Sequence, residues 1–396
     1  MSFTQSIRSE TLGFQQEIAR LQALLEASRT VHGALELDDV LHCVLEIAVK
    51  ELEAEGAFFT RGEAIAAARH TSYGHVPLWA HGERHEDWTA CPNVGLFDKR
   101  GHLLTHLVVL RPGNPLNLEE QDFLEGLGLQ SSVAVENARQ HTRLLAWERV
   151  QQDLAAARAI QSSLLPQTLP SIAGYGLDYR CKTCFEVGGD YLDLLALPDQ
   201  QYMMIVADVA GKGLASALVS ASFRAAFRAM AVAGLPVDEL AGRIGNLHYQ
   251  EGLEARRRYV TAIVMRLDAR LNEAEIVNAG HNPGFLVQED GSHSLIEASG
   301  PPLGMLPDMR YTVERRFFRP NTKLLLYTDG LTEVFQGDEE FGMDRLLSGF
   351  TQSTERDCGA LLDCLWRQLT EFASGTEQSD DMTALALVRH SLEDAR

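Results

Sequence analysis

Two prolines, Pro166 and Pro170, divide this chain into stretches of different rhythm. Before them, residues 137–165 contain no Gly or Pro, and Trp147, Val150, Leu154 and Ala157 recur at a 3-4-3 spacing along one side of a helix. After them, short apolar runs bounded by glycines read as strands at 202–206, 260–267, 275–278, 284–288, 323–327 and 383–388. Helical patterns fill 215–233 and 237–250. Many strands with few, long helical insertions predict an α+β layered domain rather than strict βαβ alternation.

The N-terminal half is less regular. Phe14, Ile18, Leu21 and Leu25, at 4-3-4 spacing, predict a helix over 5–29 that is too short to settle whether it forms a coiled coil. Asp38 and Asp39 are placed to cap a second helix with an apolar face of Val40, Leu41, Val44, Leu45 and Ala48. Strands are expected near 57–60 and 103–110, and RPGNPLNLEEQ (111–121) reads as a turn into a helix faced by Phe123, Leu124, Leu127 and Val133. The organisation expected is an N-terminal helix (1–29), a first domain (30–140), a connecting helix (141–165) and a second domain (166–392).

Charge narrows the partners. The 396 residues carry a formal −20, spread over both halves, which argues against non-specific nucleic-acid binding and against an anionic membrane surface. No run approaches the roughly 20 apolar residues of a spanning helix, and the first residues lack an apolar signal region, so membrane insertion is not expected and a cytoplasmic location is. Six cysteines in this length make no disulfide scaffold, and the Cys181/Cys184 pair lacks a second pair to complete a zinc site. His70, His75, His81 and His85 lack helical pairing and read as loop residues.

The chemistry concentrates in acidic residues at strand ends. Asp190 follows Val187-Gly188-Gly189, Asp208 ends MMIVAD, Asp329 ends LLLYTD, and Asp380 and Asp381 precede MTALALV. Any one is an ordinary turn aspartate. Together, with only Lys212 nearby, they would repel one another unless cations held them, which favours Mg²⁺ or Mn²⁺. His281, between Gly280 and Asn282, reads as a hydrogen-bonded turn residue rather than a general acid.

These residues fall in eight collinear motifs: A-x-x-I-Q-x-x-L-L-P (157–166), VGGDYLD (187–193), DVAGKGLASAL (208–218), TAIV (261–264), NAGHNP (278–283), PPLGM (301–305), LYTDGLTE (326–333) and DDMTALAL (380–387). In that order they resemble the SpoIIE-like branch of the metal-dependent PPM (type 2C) protein phosphatases. The resemblance implies an αββα sandwich with two Mn²⁺ or Mg²⁺ ions at one edge of the sheets. It implies Asp208 as the carboxylate shared by both ions, the Val209 carbonyl as a further ligand, Asp329 and Asp380 on the first ion and Asp190 on the second. Asp381 is the second choice for the Asp380 role, and Lys212 either contacts substrate phosphate or balances the carboxylates. Leu192 and Lys182–Cys184 depart from the family's commoner pattern without removing a ligand.

Three further pieces, LELDDVLHCVLEIAVKEL (35–52), GHLLTHLVVL (101–110) and LNLEEQDFLEGLGLQSSVAVENARQH (116–141), resemble a GAF domain, implying a sensor joined by a helical linker to the phosphatase. The whole resemblance implies a regulated serine/threonine phosphatase acting on a phosphorylated bacterial partner, a STAS-domain anti-sigma-factor antagonist. A parallel homodimer through the linker and N-terminal domain is expected. The alternatives are a non-catalytic partner-binding module and a hydrolase of a small phosphate ester; retention of the repelling carboxylates speaks against the first.

Overall fold

The computed structural model describes residues 36–60, 65–66, 68–77, 90–113 and 115–391, with scattered positions between 22 and 34. The chain divides into two compact units, Met1–Gln151 and Gln152–Arg396. Most of the helix expected over 5–29 lies outside the described residues, as do His81 and His85.

In the first unit, helix α1 (Leu37–Glu51) buries the expected face: Val40, Leu41, Val44, Leu45 and Ala48. Asp38 and Asp39 sit in its first turn, where they complement the helix dipole, and neither is the cap. Asp38 Oδ1 instead accepts the Arg69 amide at 2.6 Å. Strands β1 (Gly56–Phe59), β2 (Ser72–Gly74), β3 (Asn93–Phe97) and β4 (Leu103–Leu110) form an antiparallel sheet in the order β2-β1-β4-β3. Helix α2 (Leu118–Leu164) starts at a capping box: Asn117 Oδ1 accepts the Glu120 amide and Glu120 Oε2 accepts the Asn117 amide, both at 2.9 Å. Phe123, Leu124 and Leu127 are buried, but Val133 is exposed, and Ala134 and Val135 take its place in the core.

The second unit is built from two five-stranded antiparallel sheets. One runs β12 (Glu314–Phe317), β9 (Glu273–Ala279), β8 (Val260–Asp268), β7 (Gln201–Val209), β6 (Tyr191–Leu197). The other runs β11 (His293–Ile296), β10 (Gly284–Val287), β13 (Lys323–Tyr327), then Met382–Arg389 and β5 (Tyr175–Lys182). With the small hairpin β14 (Phe335–Gln336) and β15 (Glu339–Glu340) counted, Met382–Arg389 is β16.

Period-2 alternation sorts the side chains between layers. Met204 and Val206 of β7, Leu324 and Leu326 of β13, and Leu385 and Leu387 of β16 fill the space between the sheets. Met203 and Ile205 face the other way, onto helices α3 (Leu214–Val232) and α4 (Val237–Gln250). A single turn, α5 (Leu253–Arg256), follows. Helices α6 (Gly342–Gln352) and α7 (Cys358–Ala373) cover Leu325, Ala384 and Ala386 on the outer side of the second sheet. The layers are therefore α, β, β, α. Strands β5, β6, β11 and β12 and helices α6 and α7 go beyond the elements expected from periodicity.

One charged group is sealed under α3. Asp193 is fully buried and receives Arg228 through two bonds, Nε to Oδ2 at 2.6 Å and Nη2 to Oδ1 at 2.9 Å. The Tyr191 hydroxyl and the Leu194 amide donate to the same carboxylate. Removing the guanidinium strands a buried charge, so Arg228→Met is expected to lower unfolding free energy by about 3 kcal/mol. Urea denaturation checks this, with Arg228→Lys recovering part of the loss.

Candidate functional site

The sheet register explains how the acidic residues meet. Asp208 shares its face of β7 with Met204 and Val206, so it points between the sheets at their edge. Asp190 precedes β6 in phase with Leu192 and Leu194, and Thr328 follows β13 in phase with Leu324 and Leu326. The first sheet thus supplies Asp190 and Asp208. The second supplies Asp329, opening a 3-10 turn, and Asp380 and Asp381, just before β16.

Burial and mutual repulsion set the charge state. Burial, then Asp329, Asp380 and Asp381, pushes the Asp208 carboxyl up to about 7. Asp190 is held well above the carboxylate range by burial and by Asp208, opposed by the hydroxyls of Thr383 and Thr328. Thr328 Oγ1 donates to Asp190 Oδ2 at 2.8 Å. Asp329 is raised by burial and by Asp380, and Glu333 by burial, Asp329 and Asp380. Lys212 Nζ lies 2.8 Å from Asp380 Oδ2 and donates to the Ser379 carbonyl at 2.7 Å.

The adjacent aspartates do different things. Asp380 faces Lys212 and the acidic cluster. Asp381 accepts the Cys184 amide on Oδ1 and the Gly189 amide on Oδ2, both at 2.7 Å, and so anchors the loop that carries Asp190. A Cβ on Gly188 would lie 2.3 Å from Asp381 Oδ2, so the loop needs glycine there. On the other side, the Gln161 carboxamide brackets Gly188, donating to its carbonyl at 2.7 Å and accepting its amide at 3.0 Å.

The donor types at the site suit hard divalent cations. A Cβ on Gly189 would lie 2.9 Å from the Val209 carbonyl oxygen and 3.2 Å from Asp208 Oδ1, so both oxygens border a space that only glycine leaves open. Around it the donors are carboxylates and a carbonyl, the set preferred by Mg²⁺ and Mn²⁺. Among the described residues no group of three or more His, Cys, Asp or Glu is drawn together tightly enough to hold a metal ion as it stands.

Neighbouring residues have structural tasks. His281 is buried, and burial lowers it to about 4. Its Nε2 faces the Tyr327 carbonyl at 2.9 Å, which can only accept, so Nδ1 accepts from the Thr261 hydroxyl at 2.8 Å. Cys181 and Cys184 are free thiols, and burial pushes Cys181 up to about 12. Sequence reasoning missed Glu333, Thr328, Thr383 and the bracket made by Gln161. The strand phase of LYTDG contained the signal for Thr328.

The layered α, β, β, α sandwich is a fold found in PP2C phosphatase domains. Within this second unit the chain is similar to the SpoIIE family: residues 198–390 match the family model for Stage II sporulation protein E (SpoIIE). Among curated proteins, it is 31% identical over 184 residues to the phosphoserine phosphatase RsbP of Bacillus subtilis, 46% of this chain and 45% of that protein. It is 25% identical over 268 residues to protein IcfG of a Synechocystis strain, covering 60% of this chain and 42% of that one. The chain thus spans about half the length of the curated relatives it matches. The PP2C domain of SiaA from Pseudomonas aeruginosa shares the fold, with a TM-score of 0.55 and 21% identity over 62% of this chain and 99% of that domain. A structure of RsbU and RsbW domains from Mycobacterium tuberculosis gives a TM-score of 0.50 and 29% identity over 57% of this chain and 64% of that one.

His281 makes a pH prediction. Its folded value of about 4 lies below the ordinary 6.5, so the unfolded chain takes up the proton first as pH falls. The stability it contributes is complete above pH 6.5, drains away toward about pH 4 and amounts to about 3 kcal/mol. Denaturation at a series of pH values is expected to show this slope in the native chain. His281→Gln is expected to be less stable at neutral pH and to lack that part of the slope.

Proposed function

We propose that this chain is a metal-dependent phosphoprotein phosphatase that removes phosphate from serine or threonine of a signalling partner. The observation that carries the reading is the convergence of Asp190, Asp208, Asp329 and Asp380 with the Val209 carbonyl beside Gly189, desolvated and with one lysine among them. Such crowding costs stability unless cations occupy it.

Two divalent cations bound there supply Lewis acidity and a water made nucleophilic at neutral pH. Asp208, between the other carboxylates, is assigned to hold both ions, with the Val209 carbonyl beside it. Asp329 and Asp380 are assigned to one ion and Asp190 to the other, while Thr328 and Thr383 orient Asp190. Lys212 is assigned to the substrate phosphate, its present pairing with Asp380 keeping it at the site. Asp381 positions the Asp190 loop.

The relatives support the substrate class proposed. RsbP and RsbU of Bacillus subtilis are named phosphoserine phosphatases, and we assign this chain a phosphorylated STAS-type antagonist of an anti-sigma factor in partner-switching signalling. The deciding assay is phosphate release with Mn²⁺ from a phosphoserine STAS protein, against a panel of small phosphate esters. Turnover of the esters alone would favour a metabolite hydrolase, and no turnover on either a non-catalytic module.

We assign the first unit to a GAF-like sensor, on its antiparallel sheet with helix α1 and the start of α2 in one core. Trp147 and Val150 of α2 are 62% and 49% exposed, which supports pairing with a second copy in a parallel homodimer. Because Gln161 of that helix brackets Gly188, helix position and loop geometry are coupled.

Asp208→Asn is expected to lose turnover by at least a hundredfold at saturating Mn²⁺ while the fold persists, since a neutral amide weakens both ion sites (about 10²). Asp380→Asn should regain part of its activity as Mn²⁺ is raised. Asp381→Asn should not, because its defect is a displaced loop rather than a lost ligand. Titrating Mn²⁺ in steady-state assays separates the three.

Inserting two glycines after Val150 is expected to change the basal phosphatase rate of the full chain. Sedimentation should show a dimer for the full chain. A monomer whose rate ignores the insertion would refute the coupling.

A further inference from the structure

Beside the acidic cluster lies a cavity of ≈150 Å³ with walls that include Val334, Trp366 and Leu369. Its rim is continuous with the site: Gly330 follows Asp329 in sequence, and Ser379 precedes Asp380. We infer that this cavity receives an apolar side chain of the phosphorylated protein, within a few residues of the phosphoserine, and so selects substrates by sequence. The inference deepens the phosphatase reading and rests on it.

The wall is built rather than left over from loose packing. Ser374, in the left-handed region at φ 48°, ends α7, and Gly375 at φ 89° turns the chain back along the cavity. Gln378 then fixes the segment, its Nε2 donating to the Lys182 carbonyl at 3.0 Å and to the Asp380 carbonyl at 2.6 Å. Ser379 is held from both sides, its hydroxyl donating to the Glu333 carbonyl and its own carbonyl accepting Lys212. The segment that forms the wall therefore also sets Asp380 and Lys212.

Size and position choose the occupant. About 150 Å³ takes one benzene-sized group, too little for a nucleotide or a cofactor. An extended chain advances about 3.3 Å per residue, so an ester seated at the carboxylates brings its flanking side chains to this opening. A tryptophan-lined hollow beside a charged site offers such a side chain the apolar contact that the phosphate end lacks.

The test uses the full chain with Mn²⁺, p-nitrophenyl phosphate, and phosphoserine peptides of Ser and Gly in which one Leu is walked through the flanking positions. One Leu position should raise kcat/KM by about tenfold over the Leu-free peptide. Thr370 is exposed and lines the cavity, so Thr370→Trp fills it; the variant should lose that gain and turn over p-nitrophenyl phosphate at the native rate. Trp366→Ala, which widens the cavity, should move the preference at that position from Leu toward Trp. A Leu gain that survives Thr370→Trp with unchanged preference in Trp366→Ala, or no gain at any position while the esters are hydrolysed, overturns the pocket. Hydrolysis of none of the esters overturns the phosphatase reading, and the pocket with it.

Discussion

The second unit is organised around carboxylates that repel one another at the shared edge of two sheets. Burial and proximity both act against ionisation, and the two effects add at Asp208 and at Asp190. Such a cluster persists only where the backbone cannot relax away from it. Here the rigidity comes from antiparallel ladders running through β7 and β16 into the site, and from Thr328 and Thr383, which lock the second sheet's edge: the Thr383 amide donates to Thr328 Oγ1 at 3.0 Å and the Thr328 amide to the Thr383 carbonyl at 2.9 Å. The hydroxyl that closes this lock also reaches Asp190, so the strand pairing and the acidic site share one atom.

The glycines of the motifs follow from the same crowding. At Gly330 a Cβ would lie 1.9 Å from the Asp381 carbonyl oxygen, a backbone atom that cannot swing aside. At Gly188 it would meet the Asp381 carboxylate. Two loops from different sheets thus close on one aspartate with no room for a methyl group, and VGGD and TDG are the sequence traces of that contact.

Much of this was legible in the chain. Periodicity found β4, β7, β8, β13 and β16 because each buries apolar residues on both faces, leaving near-continuous hydrophobic runs. Strand β5, YGLDYRCK, was hidden because it is a sheet edge with mostly half-buried residues and charged side chains among them. Strand β6 was obscured by Asp193, a charge in a core position whose counter-charge is Arg228, 35 residues away. At the site, the strand-end aspartates were legible because glycine and apolar runs frame them. The roles of Gln161 and Glu333 were not, since each depends on a partner brought close by tertiary packing rather than by sequence spacing.

The Asp380–Asp381 pair shows how neighbouring identical residues acquire separate duties. Adjacent residues entering a strand point to opposite sides. One carboxylate therefore opens toward Lys212 and Asp329, while the other turns back to the Cys184 and Gly189 amides. The second contact fixes the loop bearing Asp190, and the Gln161 bracket on Gly188 grips that loop from the helix side. Asp190 is thereby placed by two holds, one from the sheet that carries the opposing carboxylates and one from the helix that leads into the domain.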